Sequence, residues 1–409
     1  MGNEAMTETP RGARKGPLRG LRAIDISTVI AGGVTSSMLA DFGADVIKVE
    51  HPKYGDSSRD FAPKKNNVSL MHKVIGRNKR SVTLNLSIPA GQDLFRRMIK
   101  DTDILIENFR AGTMEKWGIG WEDLKKVNPR LVMLRISGFG QEGPYSHMPG
   151  FGMVAEAMSG VAHRTGYPDG PPIFSSVPLA DCTTGLFGAF STMFAIYNRD
   201  HGTGSGELID LALFEPLFRL MEDQVIAYDQ LGINYGRIGI RSTTSAPRGV
   251  FPTRDGDWVV ISAVTDATAM RLMRTIGGEA MEQDPRFRTN ALRMEHVEAL
   301  ESAIRQWIGE RTQDEVLETF RAQDVVASGV YDIKKIFSDM QYQFRKNIVT
   351  VEDPDLGPTR VQEVLPKFAT NPGEVAHLSV PLGCHTDEVF RDLGLTPAEI
   401  EKLRGEGVV

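Results

Sequence analysis

The first half of the chain alternates between short, continuous apolar runs and stretches in which apolar residues recur every third or fourth position. Short runs bounded by turn residues predict buried strands, whereas the longer spacing predicts helices. The predicted strands are residues 21–27, 44–50, 81–86, 104–109, 131–137 and 207–213. The predicted helices among them are residues 34–42, 92–100 and 117–127. This alternation predicts an α/β fold with an open, doubly wound parallel sheet.

A long apolar stretch follows Asp181, and its large side chains recur at helical spacing. They are Leu186, Phe187, Phe190, Met193, Phe194 and Tyr197. This spacing predicts a helix that is buried on a broad face. Asp181 at its start has two interpretations: an N-cap, worth about 0.5–2 kcal/mol, or a carboxylate kept ionised by the helix dipole and able to act as a nucleophile. The local pattern does not distinguish between them.

The composition changes between residues 231 and 247, where Gly, Asn, Arg, Ser and Thr replace the apolar periodicity. Such a change is typical of a domain boundary or a long functional loop. The elements predicted beyond it are a hairpin at 250–263, which turns at Asp-Gly, and helices at 267–276, 297–308 and 313–322. These elements predict a second, smaller α/β domain.

Composition narrows the possible functions. The formal net charge of −6 provides no basic surface for nucleic acid. The pattern contains no run of about 18 apolar residues, so we expect no membrane span. Two cysteines, Cys182 and Cys384, are too few for a disulfide framework and indicate a reducing compartment, the cytoplasm. Cys182 is disfavoured as a nucleophile because no histidine stands near it in the sequence.

Polar and basic residues lie near the ends of the predicted strands, where ligands of such sheets bind. They are His51, Lys79, Arg80, Asn108 and Arg110, with the aromatic Phe109 among them. Cations beside an aromatic ring suit a phosphorylated, adenine-bearing ligand, although a solvated charged face gives the same pattern. The loop at 138–143 (GFGQEG) allows the backbone to approach a ligand closely.

Several stretches together resemble the class III coenzyme A transferases, a family that also includes α-methylacyl-CoA racemases. They are LRAIDIS, FGADVIKVEHPKYGD, RNKRSVTLNL, DILIENFRAGTMEKWG, NPRLVMLRISGFGQEGPY, PLADCTTGLFG and HTDEVFRDLGLTPAEI. The resemblance runs from about residue 17 to the C-terminus. Among family members it is greatest to enzymes that move CoA from succinyl-CoA to another dicarboxylate, such as malate or citramalate.

The resemblance implies a Rossmann-like large domain built from both ends of the chain, a small domain, and a dimer of two interlocked rings. The expected segments are a tail at 1–16, the large domain at 17–225 and 326–409, and the small domain at 226–325. Because interlocked protomers cannot separate without unfolding, we expect an obligate dimer, formed with an identical or a paralogous chain.

The resemblance also implies roles for individual residues. Asp181 matches the catalytic aspartate, and CoA or acyl-CoA is a substrate, with no permanently bound cofactor and no metal. The positions that match the CoA site are Val29, His51, Lys79, Arg80, Asn108, Phe109 and Lys116.

Phe151 and Gly152 depart from the family pattern. Racemases carry a His-Asp pair there, and some transferases carry Tyr and Glu, so this chain lacks a second proton-transfer group at these positions. Transferase is therefore favoured, with a racemase or a catalytically silent CoA-binding subunit as the alternatives. Phe151, Gly152, Arg241 and Arg248 are weak candidates for binding the acceptor acid, since guanidinium groups bind carboxylates, although most arginines are simply exposed.

Overall fold

The computed structural model describes residues 15–409, which divide into two compact units. Unit 1 contains the described residues up to Val161 together with Ser175–Val225 and Phe344–Val409, and unit 2 contains Ala162–Phe174 and Ile226–Gln343. Residues 1–14 of the expected tail lie outside the described residues. Unit 2 continues to Gln343 rather than ending at 325, because a strand at Ala327–Gly329 pairs within it.

The secondary structure alternates strands with helices through most of unit 1. The strands are β1 Arg22–Asp25, β2 Asp45–Glu50, β3 Lys64–Lys65, β4 Val68–Ser69, β5 Lys79–Thr83, β6 Ile104–Glu107, β7 Val132–Ser137, β8 Leu208–Ala212, β9 Arg248–Pro252, β10 Trp258–Ser262, β11 Ala327–Gly329, β12 Ile348–Asp353 and β13 Gly357–Gln362. The helices are α1 Ala31–Asp41, α2 Leu70–Ile75, α3 Pro89–Ile99, α4 Thr113–Lys116, α5 Trp121–Val127, α6 Gly152–Ser159, α7 Val161–Arg164, α8 Leu179–Asn198, α9 Phe214–Arg219, α10 Gln224–Leu231, α11 Asp266–Glu282, α12 Asn290–Glu295, α13 Val297–Gly309, α14 Gln313–Ala322, α15 Ile333–Ser338, α16 Met340–Phe344, α17 Thr386–Asp392 and α18 Pro397–Gly405.

Six parallel strands form the central sheet of unit 1, in the order β5-β2-β1-β6-β7-β8. Ile24 in β1 lies opposite Ile47 on one side and Leu105 on the other, and all three are buried. Counted by their appearance in the chain, the six strands are ordered 3-2-1-4-5-6, so the order reverses between β1 and β6. Ligands of such sheets bind beyond the carboxyl ends of the strands at this reversal. The predicted α/β fold with a parallel sheet is confirmed.

The C-terminal segment returns to unit 1 and completes its core. Thr386 begins α17 and accepts the backbone N–H of Thr83, just inside the end of β5, at 3.0 Å. Phe390 and Val408 join the same buried cluster as Ile24 in β1. Unit 1 is therefore built from both ends of the described chain.

Unit 2 has its own core between a three-stranded antiparallel sheet, ordered β11-β10-β9, and its helices. The predicted Asp-Gly turn is present, with Gly256 at φ +82°, where glycine is favoured. Arg293 is fully buried and donates to the carbonyl oxygen of Ala246 at 2.7 Å and to Asp266 at 2.7 Å. This unit is a compact α/β body of its own.

Helix α8 differs from the sequence expectation in two ways. It begins at Leu179, with Pro178 at the N-cap and no side-chain cap, so Asp181 lies inside the first turn and the N-cap interpretation is wrong. Its buried face carries small residues such as Gly185 and Gly188. A Cβ atom added at Gly185 would lie 2.6 Å from Val34 in α1, so these glycines allow the two helices to pack closely.

The large side chains of α8 point outward in this chain, contrary to the predicted buried face. They are Leu186, Phe190, Phe194 and Tyr197, which are 42–67% exposed. We call these four residues the α8 stripe. A contiguous row of large, exposed apolar side chains is typical of interaction surfaces.

One stretch of the described residues, Leu179–Thr203, is long and apolar enough to cross a membrane by length and composition alone. Half of its most apolar window is buried in the chain. Buried helices of globular cores have the same composition, so this is weak evidence for a span.

Candidate active site

A cavity of about 180 Å³ opens beyond the carboxyl ends of β1, β2, β5 and β6. Its lining is largely apolar and includes Thr28, His51, Leu84, Phe109 and Trp117. The rings of Phe109 and Trp117 meet edge to face with their centroids 5.2 Å apart. A cavity with aromatic walls at the reversal of strand order is suited to a planar, ring-bearing ligand.

The turn between β1 and α1 is strained and is held in place from two sides. Val29 has φ +69°, which is costly for a β-branched residue. Its backbone N–H donates to Asp56 Oδ1 at 3.1 Å. The neighbouring Thr28 exchanges two hydrogen bonds with the side-chain amide of Asn108, at 2.8 and 2.7 Å. Val29 and Asn108 thus shape the backbone beside the cavity.

His51 and Lys116 lie near the same cavity in different settings. The His51 ring stacks on Tyr54, with centroids 4.7 Å apart, and its Nδ1 accepts the backbone N–H of Lys53. Burial, together with the nearby charge of Lys53, lowers the pKa of His51. The ring is therefore mostly neutral at pH 7, whereas the exposed Lys116 at the end of α4 offers a cation next to Trp117.

The structure places Lys79 away from the cavity. Lys79 begins β5, and its Nζ lies 3.2 Å from Asp25 Oδ2 and donates to the carbonyl oxygen of Gly33 at 2.8 Å. Lys48 contacts Asp25 from the other side, at 3.5 Å, and Asp56 at 3.0 Å. Burial alone would raise the pKa of Asp25, but the two ammonium groups hold it well below its usual range.

Arg80 is also paired within the fold. Its guanidinium lies 2.6 Å from Asp45 and 2.8 Å from Glu388. Like Lys79, it stands at the amino end of β5 and does not line the cavity. Both residues hold elements of unit 1 together.

Replacing Lys79 by Met should lower the free energy of unfolding by about 3 kcal/mol, because Asp25 would keep only Lys48 as a charged partner beside its hydrogen bonds with Ser27 and Ser36. Urea denaturation followed by circular dichroism measures this change. The exposed Lys100→Met variant is the matched control and should differ from the parent by less than about 0.5 kcal/mol. If the Lys79→Met variant keeps the stability of the parent but binds CoA weakly, Lys79 is a CoA-binding residue and its structural role is contradicted.

Asp181 lies partly buried in the first turn of α8, against the backbone of α6. A Cβ atom added at Gly152 would lie only 2.3 Å from Asp181 Oδ2, so the missing side chain makes room for the carboxylate. Burial raises the pKa of Asp181 to about 6, opposed by its own backbone N–H and reinforced by the charge of Glu156. A carboxylate of this kind is ionised at neutral pH and more basic than a free aspartate, as a nucleophile requires.

Cys182 and the glycine-rich loop at 138–143 lie near Asp181 and Gly152. Burial, and then the charge of Asp181, raises the pKa of the Cys182 thiol, which is therefore protonated at neutral pH. Gly138 of the glycine-rich loop packs on Gly150, since a Cβ atom there would lie 2.8 Å from the Gly150 Cα. The loop thus approaches the segment that carries Phe151, whose side chain is 70% exposed, and Gly152.

The arginine candidates lie in unit 2. The Arg241 guanidinium is 3.1 Å from Glu301, a partner within the same unit. Arg248 is exposed at the first position of β9. An acceptor carboxylate at Arg241 would therefore compete with Glu301.

Sequence reasoning missed several residues that shape the site. Asp56 holds the turn at Val29, and Glu107 accepts the backbone N–H of Phe109 at 2.6 Å while it binds Arg135 at 2.6 Å. Burial raises the pKa of Glu107 to about 7. The contacts of Asp56 with Val29 and of Glu107 with Arg135 join residues 27 and 28 positions apart, so no local pattern indicates them.

A parallel α/β sheet with a ligand cavity at its carboxyl edge, and a partly buried carboxylate of raised pKa in the same unit, are typical of an α/β enzyme. The chain belongs to CoA-transferase family III, whose sequence profile matches residues 18–386. The protein is accordingly an enzyme that transfers coenzyme A between acyl-CoA and carboxylic acids.

Two curated relatives come from Chloroflexus aurantiacus. The chain is 41% identical over 398 residues to the succinyl-CoA–L-malate CoA-transferase beta subunit, covering 96% of this chain and 98% of that one. It is 38% identical over 395 residues to a succinyl-CoA–D-citramalate CoA-transferase, with the same coverage of 96% and 98%. A CAIB/BAIF family protein from Brucella suis has a similar solved structure, with TM-score 0.83, 29% identity, and coverage of 93% of this chain and 100% of that one.

Proposed function

We propose that this enzyme moves CoA from succinyl-CoA to a dicarboxylic acid through covalent intermediates on Asp181. The observation that carries the proposal is the Asp181 carboxylate, partly buried against Gly152 and with its pKa raised to about 6. The names of the two relatives from Chloroflexus aurantiacus, at 41% and 38% identity, support succinyl-CoA as donor and a dicarboxylate as acceptor.

The first half of the reaction transfers CoA to the enzyme. The Asp181 carboxylate attacks the thioester carbonyl of succinyl-CoA, the C–S bond breaks, and a mixed anhydride and CoA thiolate form. The thiolate then attacks the aspartyl carbonyl, which releases succinate and leaves an aspartyl-CoA thioester. The backbone N–H groups of the 138–143 loop or of the first turn of α8 are the proposed donors to the developing oxyanions.

The second half reverses these steps with the acceptor. Its carboxylate attacks the aspartyl thioester, and the released thiolate attacks the acceptor carbonyl of the new anhydride. The products are the acceptor's CoA thioester and a free Asp181 carboxylate. Because each intermediate is an activated acyl group, the site has to exclude water for the free energy of the thioester to be conserved.

The cavity at the carboxyl edge of the sheet is the proposed site of the adenine end of CoA. Phe109 supplies an aromatic wall and His51 a neutral ring, Val29 and Asn108 shape the adjoining backbone, and Lys116 offers a cation for a phosphate. The sheet order supports a Rossmann-like description of unit 1. We place no CoA contact on Lys79 or Arg80.

The α8 stripe supports the proposed interlocked dimer. Four large apolar side chains at 42–67% exposure are an unfavourable surface for an isolated chain. The partner is an identical chain or a paralogue; the relative from Chloroflexus aurantiacus is itself named as a beta subunit. The two free cysteines fit the cytoplasm as the proposed compartment.

The test is to incubate the purified enzyme with succinyl-CoA and a panel of dicarboxylates, and to analyse acyl-CoA products and intact protein by mass spectrometry. We expect a new acyl-CoA and a CoA adduct whose peptide contains Asp181. Exchange in the absence of any adduct would contradict the covalent route. Failure with every acid, by a chain that still binds CoA, would contradict transfer by this chain alone.

A further inference from the structure

Glu156 is a second acidic residue near Asp181, and it lies on the helix that faces the nucleophile. It occupies the fifth position of α6, four residues after Gly152, so the two share one helical face. Glu156 is only 5% exposed, which is rare for a glutamate. Gly152 on that face contacts Asp181, as the 2.3 Å distance from an added Cβ atom to Oδ2 shows.

The Glu156 carboxylate is bonded to the segment that leads into α8. Its Oε2 accepts the backbone N–H of Ser175 at 3.1 Å. Ser175 in turn accepts the N–H of Val177 through its hydroxyl at 3.3 Å, and α8 begins two residues later, at Leu179. One carboxylate oxygen thus ties the chain just before α8 to α6.

The same carboxylate acts on Asp181 through its charge. Glu156 is the charged side chain whose field raises the pKa of Asp181, in addition to burial. The charged groups on the other elements that pack against α8 are engaged elsewhere. They are Asp41 with Arg77, Arg135 with Glu107, Asp210 with the N–H of Gln141, Glu215 with the N–H of Ala212, and Arg199 with Asp103 and Asp200. Arg219 ends α9, and Cys182 is the other titratable neighbour.

We propose that Glu156 is the positioning residue of the nucleophile: its carboxylate anchors Ser175, which sets the first turn of α8 against Gly152, and its negative charge acts on the Asp181 carboxylate. This inference rests on the proposed function of Asp181.

Two substitutions separate the two roles. In Glu156→Gln the amide oxygen still accepts the Ser175 N–H, but the charge is gone. The acidic limb of the pH–rate profile should therefore move down by roughly 0.5–1 pH unit. In Glu156→Ala the anchor is lost too, and kcat should fall by about 10-fold or more with little change in KM for succinyl-CoA. Glu156→Gln should recover most of that loss.

The raised pKa of Asp181 determines where activity declines on the acidic side of the pH–rate profile. Asp181 has to be ionised to attack, and its pKa is about 6, so activity declines as the pH falls through about 6. Removing a neighbouring negative charge lowers this pKa. The variant then keeps more of its plateau activity at pH 5 than the parent does. Exposed Glu318→Gln on α14 is the control and should leave the profile unchanged.

A second measurement reads the pKa of Asp181 without any turnover. The difference in Tm between the parent and its Asp181→Asn variant should be small at pH 4 and grow to a plateau above about pH 6, because only an ionised, buried Asp181 is costly. In a Glu156→Gln background this plateau should be smaller and begin at lower pH.

Opposite results overturn the proposal in distinguishable ways. A Tm difference and an acidic limb that are both unmoved by Glu156→Gln would remove the electrostatic role. A Glu156→Ala enzyme with parental kcat would remove the anchoring role. A parent enzyme that forms no CoA adduct fails the proposed function instead, and the Tm measurement still decides whether Glu156 acts on Asp181.

Discussion

Asp181→Asn should lower the turnover of CoA exchange by roughly 10³-fold or more and abolish the CoA adduct. The amide keeps the shape of the carboxylate beside Gly152 but cannot form the anhydride or the thioester. Each chemical step of the proposed route forms or breaks a bond to the Asp181 carboxyl group. Initial rates with succinyl-CoA and the preferred acceptor, together with intact-protein mass spectra, measure both effects.

The variant should remain folded, and it should be more stable than the parent. Asp181 has its pKa raised from 3.8 to about 6, so the folded state disfavours the ionised form above that range. Asn avoids this cost, which corresponds to roughly 1–3 kcal/mol at pH 8. The gain declines as the pH falls from about 6 to 4 and is absent below about pH 3, where Asp181 is protonated in both states. A stability gain together with lost activity is the expected trade-off at an active site.

Cys182→Ser is the matched control for the Asp181 variant. It changes the next residue of the same helical turn, and its raised thiol pKa indicates no thiolate at neutral pH. We expect a loss of less than about threefold, typical of a substitution outside the chemistry. Full activity in Asp181→Asn, or an adduct that maps to Cys182, would contradict the proposed nucleophile.

The double substitution Phe190→Ser and Phe194→Ser should prevent stable dimer formation. The two rings are 42% and 67% exposed in the isolated chain and lie in mutual contact, with centroids 5.2 Å apart. Buried in an interface, each ring contributes of the order of 150–250 Å² of surface, and such aromatic residues dominate binding energy. In the interlocked dimer proposed above the protomers fold together, so we also expect loss of activity and of soluble yield.

Sedimentation velocity on the purified protein measures the assembly directly. The control is Phe190→Leu with Phe194→Leu, which keeps an apolar surface and should remain a dimer. If the Ser variant sediments as an active dimer indistinguishable from the parent, the α8 stripe is not part of the interface. If the parent itself is an active monomer, the dimer proposal fails.

Much of the fold follows from sequence pattern. The central strands β6 (Ile104–Glu107) and β7 (Val132–Ser137) are short runs rich in apolar residues and are buried along their whole length, as such runs predict. The capping box at Thr396 and Glu399 starts a helix where its spacing requires, with Thr396 accepting the Glu399 N–H at 3.3 Å. These features depend on residues a few positions apart, which is the range that a local pattern describes.

The site was only partly predictable. Asp181, His51 and Phe109 stand out by position near predicted element ends, and the structure places His51 and Phe109 at one cavity. Lys79 and Arg80 have the same charge and similar positions, yet their partners lie 54 and 308 residues away, at Asp25 and Glu388. Charge in a sequence indicates a cation; only its neighbours decide whether that cation is available to a ligand.

The sequence by itself determined the α/β class, the strands of the parallel sheet and the family, because each depends on short-range periodicity or on contiguous motifs. The tertiary structure decided which face of α8 is buried, since only the approach of α1 selects the small residues over the large ones. It also brought Gly152 and Glu156 to Asp181, from positions well before it in the chain. Burial and charge coupling depend on distance in space, and folding alone sets that distance.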